Sequence, residues 1–164
     1  METAANPYAG SLAGRDPFSV LQSTPARLRE VAARLGAAGL EASLAPGKWD
    51  ARKIICHLAD CEIAFGYRWR QVAVQPKHAI QTFDQDLWAA QYDSLSANEA
   101  LDAFCGLRQW SNMWLSKLPR DTFAKPATHP ERGEMTLLKL LELTAGHDLH
   151  HLNQLDQIAA QGGR

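Results

Sequence analysis

Charge of one sign is what this sequence most plainly lacks. Its 17 Lys and Arg against 18 Asp and Glu leave a formal net charge of −1, so no basic footprint points to nucleic acid or to an anionic membrane surface. Long apolar runs are missing too: none approaches the roughly 20 residues that a membrane span requires. The opening METAANPYAGSLAGRDPF has no basic region leading into an apolar stretch, and so does not read as a secretory signal. Cysteine is scarce. Cys56, Cys61 and Cys105 are odd in number and form no CxxC pair, which fits reduced, mostly buried thiols in a cytoplasmic protein and not a disulfide scaffold. Strand-like alternation is nearly absent, and no internal repeat stands out.

What is present is helical periodicity. The 164 residues, 46% of them hydrophobic, suffice for one domain with a proper core but not comfortably for two. Residues 1–16 carry Ala, Gly and Asn without a period and read as a loose arm, leaving a single domain over 17–164. A first helix lies within about 17–40, strongest over TPARLREVAARLG, where Thr24 can cap, Pro25 suits the first helical position and Gly36 or Gly39 can end it. A second follows Asp50, a good N-cap, with Trp49 placed to staple onto Ile54. In it Ile54, Leu58, Cys61, Phe65, Trp69 and Val72 recur at helical spacing until Pro76 stops the run. After a polar connector over 77–95, with a short helix around DQDLWAAQ, Ser96 and Glu99 form a capping box for a third helix reaching about Lys117. A proline-rich loop then leads to a long final helix from Thr136, closed by Gly162 and Gly163. Four such helices predict an all-α, antiparallel four-helix bundle.

The final helix concentrates histidine in HDLHH, residues 147–151. At about 100° per residue, Leu140, Thr144, His147, His151, Gln154 and Ile158 share one face, and His150 falls on its shoulder. A lone inward histidine is ordinarily a core residue hydrogen-bonded to a carbonyl. A stacked pair is harder to bury, because both rings need partners and either charge repels the other. Imidazoles at i and i+4 can instead share a metal ion. His57 sits on the shoulder of the second helix's apolar stripe, beside Leu58 and Cys61, and bundle sites are built from inward side chains on facing helices. Three imidazoles leave the open geometry of a catalytic site; Cys61, one turn beyond His57, would close it as a fourth ligand.

The stretches PGKWDARKIICHLADCE and HDLHHLNQL resemble the two signature segments of the DinB/YfiT-like superfamily, in order and separation, over about residues 20–160. The resemblance implies a four-helix bundle with a divalent-metal site held by His57, His147 and His151, with His150 as a neighbouring non-ligand. It also implies a homodimer, and either metal-dependent hydrolysis or transfer of a low-molecular-weight thiol to a small-molecule substrate. Imidazole ligation leans to zinc, with nickel, iron and manganese as alternatives. A non-catalytic metal-binding or interaction bundle is the competing expectation.

Other residues carry paired readings. Arg108 and Asn112 share an inward stripe with Leu101, Phe104, Cys105 and Leu115. Arg108 is either a substrate anchor for a carboxylate-like group or a structural ion pair with Asp60, Glu62 or Asp148. Asp148 and Gln154 are placed to orient ligand histidines. His78 and His129 lie in polar loop sequence and are expected to face solvent. Phe65, Trp69, Trp110 and Trp114 read as core or interface. A second apolar strip on the final helix, Leu138, Ala145, Leu149 and Leu152, implies deep burial or dimerisation.

Overall fold

A computed structural model describes residues 6–162. Its helices are α1 (Ala9–Leu12), α2 (Pro17–Leu40), α3 (Ala51–Val74), α4 (Gln85–Ala89), α5 (Ala97–Leu115) and α6 (Leu137–Gly162). The four long ones, α2, α3, α5 and α6, make a four-helix bundle, as the periodicity predicts. Asp50 caps α3 by accepting from the Lys53 amide at 2.7 Å, and Ser96 caps α5 by accepting from the Glu99 amide at 3.3 Å.

Helix directions follow from the pairs that meet. Asn112 reaches the Leu21 carbonyl while Arg29 pairs with Asp102, so α2 and α5 are antiparallel. Cys61 faces His147 while the His57 ring packs across that of His151, so α3 and α6 are antiparallel as well. The other two neighbouring pairs run parallel. Glu62 meets Arg108 and Arg70 meets Ser111 between α3 and α5; Arg108 links Leu21 to Asp148, and Arg34 pairs with Asp156, between α2 and α6. The cause is the long connector after α3. It carries the chain back along a 24-residue helix, about 36 Å, before α5 begins in the same direction.

Helix α2 starts earlier than its local signals suggest. Asp16, not Thr24, is the cap, accepting from the Ser19 amide at 2.9 Å with Pro17 in the first turn. Pro25 therefore lies inside the helix, where it cannot donate to the Leu21 carbonyl. That carbonyl is satisfied from α5 instead, by Asn112 Nδ2 at 3.2 Å and Arg108 Nη1 at 3.4 Å. Gly36, at φ 59° and ψ −173°, breaks the helical geometry near the far end. At the C-terminus of α6, Gly162 is still helical, and Gly163 lies outside the described residues.

Two further expectations change. Residues 6–16 are not a loose arm: Leu12 of α1 is buried and α1 packs on α6; residues 1–5 lie outside the described residues. A small sheet also forms from β1 (His78–Ala79), β2 (Pro126–His129) and β3 (Gly133–Thr136), with β1 parallel and β3 antiparallel to β2. Strands this short carry no readable alternation. The sheet buries His78 and His129, which loop composition places in solvent. His78 pairs with Gln75 Oε1 at 2.9 Å, and His129 Nδ1 accepts from the Glu131 amide at 3.2 Å.

The interior has two apolar clusters. One gathers Leu21, Phe65, Trp69, Leu115, Leu137 and Leu141; the other gathers Leu28, Val31, Ile55, Leu58, Phe104 and Leu155. The second strip of α6 is absorbed here, with Ala145, Leu149 and Leu152 buried within the chain. Between the clusters, on α3, α5 and α6, lie His57, Glu62, Arg108, His147, Asp148 and His151, all buried.

Candidate metal centre

His57 stands in the second turn of α3, and His147 and His151 are one turn apart on the facing stretch of α6. Because α3 and α6 are antiparallel neighbours, the three rings converge: one nitrogen from each lies within 4.8 Å of the other two. His57 Nε2 and His147 Nε2 are 3.0 Å apart. Two imidazoles on one tetrahedral ion, each at its usual bond length, sit roughly 3.3 Å apart. The observed spacing is close to that edge.

The His151 tautomer agrees with ligation. His151 Nδ1 is 2.7 Å from Gln154 Oε1; a carbonyl oxygen only accepts, so Nδ1 donates and Nε2 keeps its lone pair. His147 Nδ1 is buried and has no hydrogen-bond partner among the described residues. Asp148 Oδ1 is 3.9 Å away, beyond hydrogen-bond reach, because the other oxygen is held by Arg108 at 2.6 Å. Burial, then the neighbouring His147, lowers the His57 pKa to about 3. Burial and the same neighbours take His151 well below the ordinary value. Neutral imidazole is the form a divalent ion requires, so the donor set fits such a group.

Cys61 completes one side. Its Sγ is 3.4 Å from His57 Nε2 and 3.9 Å from His147 Nε2, yet among the described residues the set of mutually close donors contains only the histidines. Burial above all, with Asp148 and Asp60 adding to it, pushes the thiol pKa up, so Cys61 is held protonated.

Aromatic rings surround the triad: Trp49 is 5.1 Å from His57 and Phe65 is edge-on to His147 at 5.4 Å, centroid to centroid. The approach from solvent is a cleft of about 540 Å³ walled by Tyr8, Lys48, Trp49, His150, His151 and Gln154. His150 thus belongs to the wall of the cleft. Tyr8 is the residue sequence reasoning missed; no periodic signal surrounds it. A cleft of about 640 Å³ between the N-terminal segment and β3 contains none of the three histidines.

The geometry opposes Arg108 as a substrate anchor. Its guanidinium is wholly buried, donating to Glu62 Oε2 at 2.6 and 2.8 Å, to Asp148 Oδ2 at 2.6 Å and to the Leu21 carbonyl. Burial works against the Arg108 charge, but the two carboxylates outweigh it and raise its pKa. Asp60 instead accepts from the Tyr92 hydroxyl at 2.8 Å.

The site makes a pH prediction for metal-free protein. The folded state keeps His57 neutral down to about 3, against 6.5 for an ordinary histidine, so the unfolded chain takes up its proton first. Stability from this group is whole above about pH 6.5 and falls toward pH 3, by about 1.4 kcal/mol per pH unit. Denaturant midpoints measured between pH 8 and 4 check this. A flat profile would contradict a buried, neutral His57.

Comparison with known proteins follows the same residues. The sequence model of the DinB superfamily matches residues 21–155, which contain His57, His147 and His151. The chain belongs to the DinB superfamily. A DinB relative in Bacillus licheniformis is 30% identical over 136 residues, covering 80% of this chain and 77% of its own. One in Oceanobacillus iheyensis is 27% identical over 145 residues, covering 84% and 81%. YfiT of Bacillus subtilis is 25% identical over 150 residues, covering 89% and 84%. All three bear the name "Putative metal-dependent hydrolase". The solved YfiT structure superposes with a TM-score of 0.83 at 23% identity, over 90% of this chain and 86% of that one, and is described as a four-helix bundle of unusual topology. The two parallel helix pairs give this DinB bundle, too, a topology other than simple up-and-down.

Proposed function

We propose that this DinB protein is a divalent-metal-dependent enzyme whose His57, His147 and His151 hold one ion through imidazole nitrogens, and that its reaction is hydrolysis of a small molecule. The observation that carries the reading is the convergence of three buried imidazoles beside an open cleft. When bound, such an ion acts as a Lewis acid and lowers the pKa of a water or thiol that reaches it. The residues supply the rest: Gln154 fixes the His151 tautomer, the buried ring of Phe65 covers the inner side, and the cleft, walled by Trp49, admits substrate past His150. Activation of a low-molecular-weight thiol in place of water is the variant of the same reading. Donor type leans to zinc over nickel, iron or manganese.

A second reading rests on Cys61. With Sγ at 3.4 Å from His57 Nε2, a fourth protein ligand would close the site and leave a structural, non-catalytic centre. Three buried free thiols support a cytoplasmic setting, and exposed Ile63, Tyr67 and Trp110 support a homodimer.

One preparation tests these points. Protein purified without a histidine tag is expected to carry one metal per chain and to sediment as a dimer. Its cobalt form is expected to respond spectroscopically to added thiol, and Cys61→Ser to leave the visible cobalt bands in place. Substoichiometric metal would sink the site, and a cobalt spectrum blind to thiol but altered by Cys61→Ser would favour the closed centre.

A further inference from the structure

His147 differs from its two partners in how its ring is held. His151 is tied to Gln154 by a 2.7 Å hydrogen bond, and the His57 Nδ1 lies 3.7 Å from Cys61 Sγ. Among the described residues His147 Nδ1 has no hydrogen-bond partner, and Asp148, adjacent in sequence, is turned toward Arg108. Metal-ligating histidines ordinarily donate their second ring N–H to an acceptor, and that bond fixes their orientation. Two aromatic rings pack perpendicular to His147 instead. Tyr8 lies at 5.3 Å from the His147 ring with planes at 83°, and Phe65 at 5.4 Å with planes at 88°. Perpendicular, edge-on pairs at such distances are the favoured arrangement of aromatic rings.

Tyr8 is brought there by a close backbone approach. A side-chain carbon added at Gly146 would lie 2.7 Å from both the Cβ and the carbonyl oxygen of Tyr8, so only glycine lets the segment lie flat on α6. The Asn6 side chain accepts from the Tyr8 amide at 2.9 Å, and Leu12 is buried four residues further on. Tyr8 also touches His150, with centroids 5.5 Å apart, and walls the cleft.

We infer that Tyr8 is a positioning residue of the metal centre: its ring, seated by Gly146, holds His147 in the ligating orientation in place of a hydrogen-bond acceptor. The inference rests on the proposed ligand set. It makes the N-terminal segment part of the site, and it assigns the work to the ring and not to the hydroxyl.

The test compares wild type with Tyr8→Phe, Tyr8→Leu and Gly146→Ala in the full chain, titrated with cobalt(II) against a chromophoric chelator. Circular dichroism and thermal melts of the metal-free proteins report folding separately. Tyr8→Phe is expected to bind cobalt like wild type. Tyr8→Leu, which keeps apolar bulk without a ring, and Gly146→Ala, which lifts the segment, are expected to bind about tenfold or more weakly, the scale of losing an orienting partner. Their visible cobalt bands should also shift. Folded Tyr8→Leu with wild-type affinity and spectrum would overturn the inference, as would Tyr8→Phe as weak as Tyr8→Leu. Wild type that fails to bind one cobalt ion would instead overturn the proposed ligand set itself.

Discussion

Replacing Arg108 with alanine is expected to destabilise the protein by about 3–5 kcal/mol, because it strands two carboxylates in the core. Arg108 is fully buried, with Glu62 and Asp148 each 2.6 Å away and themselves almost inaccessible. The carboxylates would have to take up protons or face each other uncompensated. For a chain of this size, a loss of that order lowers the thermal midpoint by about 6–20 °C. The Leu21 carbonyl, already without its helical donor because of Pro25, would keep only Asn112. Neutralising the partners together with Arg108, as Arg108→Met with Glu62→Gln and Asp148→Asn, should recover part of the loss, since no uncompensated charge is then left in the core. Melts of the single and triple variants decide the matter. An Arg108→Ala protein melting within a degree or two of wild type would show that the triad does not hold the bundle together.

The second large effect is on metal. His57→Ala and His147→Ala should each lower affinity for a divalent ion by more than about 100-fold, since loss of an outer partner alone costs roughly 10–100-fold. Two remaining imidazoles cannot fix a single ion in the bundle. His150→Ala is the control, because His150 borders the cleft and is not among the mutually close donors. It is expected to bind metal like wild type while altering access from solvent. Calorimetric titration of chelator-stripped protein reads all three. If His150→Ala weakens metal as much as His147→Ala does, the ligand set is misassigned. If none of the variants weakens it, the ion sits elsewhere.

Much of the site is legible in the sequence because helices project at fixed angles. His147, His151 and Gln154 fall on one face whatever the tertiary structure, and the Gln154 bond to His151 follows from that spacing. His57 is harder: its place on the shoulder of its stripe points it inward only if α6 is the neighbour of α3. The choice among partners for Arg108 lay beyond periodicity as well. Asp60, Glu62 and Asp148 all share suitable helices, and only the crossing of α3, α5 and α6 selects Glu62 and Asp148 over Asp60. Tyr8 had no local signal. It matters through Gly146, more than a hundred residues away in sequence, and neither residue announces the other.

The local sequence thus determined the four long helices, most of their caps and the inward face of the histidines, because each depends on residues within a few turns of one another. Tertiary structure decided what depends on residues far apart. The long connector turned two neighbouring helix pairs parallel. The sheet buried His78 and His129, whose short strands find partners only across the fold. Arg108 became the centre of a buried ion triad once three helices met around it. The N-terminal segment became a wall of the cleft because a missing side chain on α6 left room for it.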